Sequence, residues 1–500
     1  MRHNVIKKML VSGILLVSLV AAGSVGLSAN RIVSLSSPQT NVSASLVSAP
    51  LDLVVTDAHT DSIGFFSGKG DGSFGNRLNY DAGFAPNGVV ASDFNKDGNL
   101  DCAVADMNGS SVAVLLGDGL GHFGTPVLFP AGTLPCGIVT EDFNQDGNLD
   151  LAVTNQNDST VSVLYGNGNG TFGGRHDYPV GTGPAGIVSV DFDKDGFFDL
   201  AVTDSYEATI GVLLANGTHG FGSCLFYPLG VEITDDPEGL VVGDFNNDTI
   251  VDLALAIHNT NSIGVYFGDG FGGLSGINYY FLGTIDGPFG IAAGDFNEDG
   301  KLDVAVTNEH ANTVSILFGD GAGNFSSRHD FPVGLSPVGI IAVRLTADDD
   351  LDLAVTNYDS ACVSILLGDG TGLFDHAANL TTGLGPTGLA AGTFRYDTTN
   401  PMVQITKPVN GIYLMNLKIL PFPRPLIFGR IDIQVSASDA QSGINHVEFY
   451  IDSTLVNTST TEPYQWTWRT FSLGKHVVRV VAFDNADNSV QTEIQVRKFL

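Results

Sequence analysis

Five segments of this chain carry oxygen-bearing side chains at positions 1, 3, 5 and 9 of a nine-residue phrase. They are DFNKDGNLD from Asp93, DFNQDGNLD from Asp142, DFDKDGFFD from Asp191, DFNNDTIVD from Asp244 and DFNEDGKLD from Asp295. In a tight loop, oxygens at positions 1, 3 and 5 can converge on one point. Gly at position 6 permits the sharp reversal, position 7 can offer a carbonyl, and Asp at position 9 closes the shell. This is the oxygen-only donor set of a hard cation such as Ca²⁺. The expected ligands are Asp93, Asn95, Asp97, Asn99 and Asp101 in the first loop, and Asp142, Asn144, Asp146, Asn148 and Asp150 in the second. The third supplies Asp191, Asp193, Asp195, Phe197 and Asp199, the fourth Asp244, Asn246, Asp248, Ile250 and Asp252, and the fifth Asp295, Asn297, Asp299, Lys301 and Asp303. Without a cation each close carboxylate pair would cost about 4 kcal/mol at an effective dielectric of roughly 20. Asp and Asn serving only as turn formers leave that repeated crowding unexplained. An EF-hand would need Glu at position 12 and flanking helices, but position 12 of the first loop is Val104.

The elements that hold these loops are repeats. The phrase DLVVTD at Asp52 returns as DCAVAD, DLAVTN, DLAVTD, DLALAI, DVAVTN and DLAVTN, at intervals of 49, 49, 49, 53, 51 and 49 residues. Pro-x-Gly followed by apolar residues starts at Pro86, Pro135, Pro184, Pro237, Pro288, Pro337 and Pro386, and a Gly-rich turn such as GDGLGHFG from Gly117 also occurs seven times. Each period reads strand, acidic loop, strand, polar loop, strand, Gly turn, strand, which is the unit of a β-propeller blade. The first strand phrase lacks a preceding Pro-x-Gly strand and the last Pro-x-Gly strand (386–394) lacks a following one. Joining them closes seven blades with no open edge. Two loops depart from the pattern. In RLTADDDLD, Arg344 replaces the first Asp and Thr346 the Asn, so that Arg344 supplies positive charge itself. In the closing blade Thr393 replaces the first Asp. Thr249 also stands where Gly is expected in the fourth loop, weakening that site. Five calcium ions are expected, not seven. The G-x-G-x-x-G matches, such as GDGSFG from Gly70, lead into strands rather than a helix, so they read as hairpin turns and not as a phosphate site.

Among 500 residues there are 54 acidic and 22 basic side chains, a net charge of −32, which argues against a nucleic-acid partner. A 43% hydrophobic content excludes disorder, and 62 Gly fit short strands and tight turns. Residues 1–29 have the positive, apolar, small-residue order of a secretory signal, cleaved near Ser24 or Ala29 or else retained as an anchor. Residues 30–50 read as a linker, the propeller as 51–397 and a separate domain as 401–500. The protein is expected to be secreted or held at the cell surface, with no membrane span beyond such an anchor. Cys102 sits at a core position, and no disulfide can be deduced for Cys136, Cys224 and Cys362.

The DFNxDGxxDLAV phrase, the FG pairs and the G-x-G-x-G-x-F turns resemble the FG-GAP/VCBS-type repeats of integrin α-subunit propellers and of many prokaryotic surface proteins. That resemblance implies a calcium-bearing seven-bladed propeller with the metals on one face. The segments Val403–Lys407, Ile431–Ser438, Val447–Asp452, Gln465–Trp468, Val477–Phe483 and Glu493–Val496 read as strands of one sandwich, with 412–428 as a long loop or edge insertion. VEFYID, EPYQWTW and GKHVVRVVAFDNADN resemble prokaryotic Ig-like modules. The fold class is therefore all-β: a seven-bladed β-propeller with a C-terminal Ig-like β-sandwich. Trp466 and Trp468 read as core and face-shielding residues or as a sugar platform.

No HExxH, GxSxG or CxxC occurs, and His59, His258 and His310 fall in polar loops between second and third strands without matching acid or nucleophile partners. The expectation is a non-catalytic adhesion or ligand-binding scaffold with a protein or glycan partner. The alternative is a lectin-like propeller or a non-catalytic module of a polysaccharide-active system. Its ligand would bind the face opposite the acidic loops, around Tyr206, Glu207, Glu232, Asp235, Asp236 and His258, where the longer periods add acidic and aromatic residues.

Overall fold

A computed structural model describes residues 50–217, 220–230, 236–283, 286–394, 400–439, 443–484 and 488–499. The signal or anchor segment and nearly all of the linker fall outside them. The chain divides into two compact units, one ending at Phe394 and the other running Arg395–Leu500. Regular structure among the described residues is entirely β. No helix there is long and apolar enough to cross a membrane.

The first unit contains seven four-stranded antiparallel sheets. One of them runs Pro86–Ser92, Asp101–Asp106, Ser111–Leu115, Val127–Pro130 from its inner to its outer edge. DCAVAD is buried along its whole length while VLFP is mostly exposed. Inner strands are covered on both faces by the adjoining sheets, so their sequences are continuous apolar runs. The last inner strand, Pro386–Gly392, pairs antiparallel with Asp52–Asp57 in the register Leu53↔Ala391 and Val55↔Leu389. First and last repeats thus share one sheet, as the order of the phrases predicts.

The glycine of Pro-x-Gly is required by close approach between neighbouring inner strands. A β-carbon on Gly88 would lie 2.5 Å from the Cys136 carbonyl oxygen, and one on Gly137 2.5 Å from that of Ala185. The relation continues from Gly186 to Glu238 (2.6 Å), Gly239 to Phe289 (2.5 Å), Gly290 to Val338 (2.2 Å), Gly339 to Thr387 (2.4 Å) and Gly388 to Asn87 (2.4 Å). The seventh contact returns to the first strand, so the ring closes. Threonines stitch the same seam. Thr154 Oγ1 accepts from Gly137 N at 2.9 Å and donates to Ala185 O at 2.9 Å. Thr203, Thr307 and Thr356 repeat the arrangement. The phenylalanines are the other seam. Phe94 of an acidic loop meets Phe172 of the next blade's Gly turn edge to face at 5.6 Å, as do Phe143 with Phe221 at 5.6 Å and Phe296 with Phe374 at 5.7 Å.

The second unit has a three-stranded sheet (Met402–Lys407, Ile431–Ser438, Gln465–Trp468) and a seven-stranded sheet. The segment 412–428 is an edge addition of short strands, Gly411–Leu414, Leu417–Leu420 and Pro425–Phe428, the last parallel to Ser489–Phe499. Trp468 is buried, with its indole N–H donating to Thr470 Oγ1 at 2.9 Å, and Trp466 stacks beside it half-buried. All four cysteines are unpaired thiols, Cys102 and Cys136 deep in the core.

Candidate functional site

The five acidic loops share one backbone. Position 4 is left-handed although it is never glycine: Lys96 (φ 61), Gln145 (φ 55), Lys194 (φ 62), Asn247 (φ 59) and Glu298 (φ 56). Position 6 is left-handed as well, from Gly98 (φ 89) to Thr249 (φ 69), so the threonine keeps the loop's shape at a cost in strain. In the first loop Asp93 accepts N–H groups from Asp97 (3.1 Å) and Gly98 (2.8 Å), Asn95 Oδ1 accepts from Asp97 N (2.9 Å), and Asp97 Oδ1 accepts from Asn99 N (2.8 Å). The other four loops repeat this wiring with near-identical distances. Side-chain oxygens of positions 1, 3 and 5 are thereby turned toward one another. In the third loop Asp191, Asp193 and Asp195 offer oxygens all within 4.8 Å of one another. Burial, followed by the charges of Asp195 and Asp191, raises the Asp193 carboxyl above its ordinary value. Such an all-oxygen, mutually repelling set suits a hard divalent cation.

Position 9 has a second duty. Asp101 is fully buried, and its two oxygens accept the N–H groups of Phe94 (2.9 Å) and Gly117 (2.8 Å), tying the acidic loop to the Gly turn. Asp150, Asp199, Asp252 and Asp303 make the same pair of bonds. So does Asp352 of the altered sixth loop, and Asp52 of the closing blade bonds Gly68 N at 2.9 Å. This strap therefore persists where the rest of the acidic-loop pattern is lost. Burial, reinforced by the loop carboxylates, pushes Asp101, Asp150 and Asp199 up to about 7 and Asp252 and Asp303 up to about 6.

Position 7 residues donate their N–H to the position 5 carboxylate, and their side chains lie over the glycine at the third position of the blade's own Gly turn. A β-carbon on Gly119 would sit 2.2 Å from Asn99 Oδ1, and one on Gly217 3.2 Å from the Phe197 ring. Asn148, Ile250 and Lys301 cover Gly168, Gly270 and Gly321 in the same way. The sixth loop is built differently. Arg344 Nε donates to Asp349 O at 2.6 Å, Thr346 Oγ1 to Asp348 Oδ1 at 2.6 Å, and no residue from Arg344 to Asp352 is left-handed.

On the opposite face, Glu232 and Asp235 lie outside the described residues. Tyr206 is 47% exposed, and Glu207 beside it accepts a hydrogen bond from Thr182 Oγ1 at 2.6 Å. Asp236 and His258 are buried, and the Asp236 carbonyl accepts from His258 N at 3.2 Å. Only Tyr206 and Glu207 of the described set are therefore presented to solvent. The expectation of histidines without acid partners is corrected for His258 and His310. His258 Nε2 lies 3.1 Å from Glu309 Oε2 and His310 Nε2 4.0 Å from it, while His59 Nε2 meets the Tyr358 hydroxyl at 2.7 Å. Equivalent loop positions of successive repeats stand side by side in the ring, so Glu309 reaches His258 from the next repeat and Tyr358 reaches His59 across the closure, while His310 is Glu309's neighbour in its own loop. Reading the position after each second strand across repeats (Ala58, Met107, Gln156, Ser205, His258, Glu309, Tyr358) exposes the signal.

Comparison with known proteins gives two family matches. The FG-GAP-like repeat matches residues 93–153, 142–202, 244–306 and 295–355, and the bacterial Ig domain matches residues 401–480. No curated protein matches the chain. Among solved structures, the periplasmic gluconolactonase of Pseudomonas aeruginosa is similar at 16% identity and TM-score 0.55, covering 68% of this chain and 99% of that one. A candidate 6-phosphogluconolactonase from Bacteroides fragilis is similar at 18% identity and TM-score 0.54, with 70% and 99% covered. A protein from Lactobacillus plantarum is similar at 15% identity and TM-score 0.55, with 69% and 99% covered. At these identities the likeness is one of fold.

Proposed function

We infer that this chain, which carries FG-GAP-like repeats followed by a bacterial Ig domain, is an exported calcium-binding propeller acting as a cell-surface adhesion or ligand-binding scaffold. One observation carries the reading: five loops in five blades repeat the same left-handed backbone and the same inward wiring of an all-oxygen donor set. Asp93, Asn95 and Asp97, and their equivalents, would hold the ion, with Asp101 and its equivalents beneath. The ion would cancel carboxylate repulsion and fix the loops against the Gly turns. Five doubly charged ions would bring the formal net charge from −32 to −22.

The calcium is structural in this account, and the ligand face is the rim opposite, where Tyr206 and Glu207 are presented. Export rests on the order of charged, apolar and small residues in 1–29. The gluconolactonase-type neighbours share the fold, which hosts many functions, and recognition rather than hydrolysis is the reading for this chain. The test is a glycan array and a surface-protein pull-down with the full chain, in calcium and in EGTA. Calcium-dependent capture of one glycan or protein class, lost in Tyr206→Ala together with Glu207→Ala, supports the scaffold. Hydrolysis of aldonolactones by the purified chain would contradict it.

A further inference from the structure

We propose that His258, Glu309 and His310 form a second kind of metal site, for one zinc-class divalent ion, on the face opposite the acidic loops. Two imidazoles and one carboxylate are a borderline-soft donor set, unlike the oxygen-only loops, and three protein ligands with an open fourth position are the pattern of an accessible zinc centre.

The geometry fits without rearrangement of the backbone. Tetrahedral bonds of about 2.0 Å place ligand atoms about 3.3 Å apart. The observed separations from Glu309 Oε2, 3.1 Å to His258 Nε2 and 4.0 Å to His310 Nε2, bracket that value, and the three ligand atoms all lie within 4.8 Å of one another. The two rings stand edge to face at 5.0 Å. His258 and Glu309 are nearly enclosed, with side chains 9% and 13% exposed, whereas His310 is 57% exposed and leaves a path in from solvent.

The surroundings orient the ligands. His258 Nε2 faces Glu309 Oε2 at 3.1 Å, a gap that a proton or a cation can fill. Asn259 Oδ1 faces His258 Nδ1 at 3.4 Å, and the Asn259 amide nitrogen faces Asp236 Oδ2 at 3.5 Å. Such an outer partner on a ligating histidine is a regular feature of metal centres. The Phe289 ring packs edge-on against His258 at 6.1 Å. Glu309 N donates to Gly287 O at 2.8 Å and His310 N to Asp286 O at 3.1 Å, holding the ligand-bearing turn against the neighbouring segment. A β-carbon at Gly287 would be 2.5 Å from His310 Nδ1, so the glycine makes room for that ring.

The test is a zinc titration of the full chain in excess calcium, by calorimetry and by competition with a chromogenic chelator, with cobalt as a spectroscopic substitute. One zinc per chain at sub-micromolar affinity is expected, with the intense visible bands of a four-coordinate cobalt site. His310→Ala, at an exposed position, should leave the calcium-saturated melt unchanged and weaken zinc at least about 100-fold, and Asn259→Ala should weaken it about 10-fold. No zinc bound above the level of His310→Ala, or equal affinity in wild type, His310→Ala and Glu309→Gln, overturns the site. The comparison reads this cluster whether or not the acidic loops take calcium.

Discussion

Stripping calcium should make the stability of the propeller fall as pH rises, and restoring calcium should abolish that slope. The cause is the row of closing aspartates. Each holds its proton longer in the fold than in the unfolded chain, because its carboxyl is raised from 3.8 to about 7 (Asp101, Asp150, Asp199) or about 6 (Asp252, Asp303). The contribution is complete below about 3.8 and is lost as pH climbs through those raised values. Between pH 5 and 7 a carboxyl at about 7 would forfeit about 2.3 kcal/mol at full weight, and one at about 6 about 1.3 kcal/mol. The crowding carboxylates lie in solvent-exposed loops, and halving for screening leaves about 1 kcal/mol per loop, or about 5 kcal/mol over five. For the roughly 340 described residues of this unit, with an unfolding entropy of about 2.1 cal/mol/K per residue, this lowers Tm by about 7 °C. The assay is a melt series from pH 5 to 7.5 in EGTA and in calcium, at 0.5 M salt so that general surface repulsion is screened. A flat series in EGTA, or the same slope with calcium present, refutes the reasoning.

Replacing Asp191 and Asp195 together with Ala should remove one calcium per chain, read by elemental analysis, and leave four sites intact. Gly339→Ala would drive a methyl into the Thr387 carbonyl 2.4 Å away, and overpacking of this kind costs about 1–3 kcal/mol, seen as a lower Tm with unchanged calcium content. Thr356→Val removes the donor to Thr387 O at 2.8 Å and the acceptor of Gly339 N at 2.8 Å. The two buried backbone groups left behind should cost about 1–3 kcal/mol each in chemical denaturation.

Much of this architecture is legible because the repeat is read many times. Pro-x-Gly, DLAVTN and the Gly turn each mark one strand, and the unmatched strands at either end indicate how the ring closes. The acidic loops are legible for the same reason, since their donor spacing recurs five times. What escapes are features set by neighbours rather than by local sequence. Ser110, Ser159 and Ala208 are left-handed without being glycine or asparagine. Their carbonyls are held by Ala131 N (3.0 Å), Val180 N (3.0 Å) and Leu229 N (3.0 Å) across the blade, so tertiary bonds override propensity there. The strap made by the closing aspartates needs the Gly turn brought beside the loop, 16 residues away in sequence. His258 and Glu309 are 51 residues apart, and meet because adjacent blades align equivalent positions. At the longer linker, Asp236 turns inward to brace His258 and Asn259, where an exposed acidic tip was expected.

Whether five loops hold five calcium ions is decided by elemental analysis of the purified full chain, dialysed against micromolar calcium. Close to five calcium ions per chain are expected, falling to four in Asp191→Ala/Asp195→Ala and unchanged in Asp348→Ala of the altered sixth loop. A chain that binds no calcium, or whose content does not respond to the third-loop substitutions, contradicts this expectation.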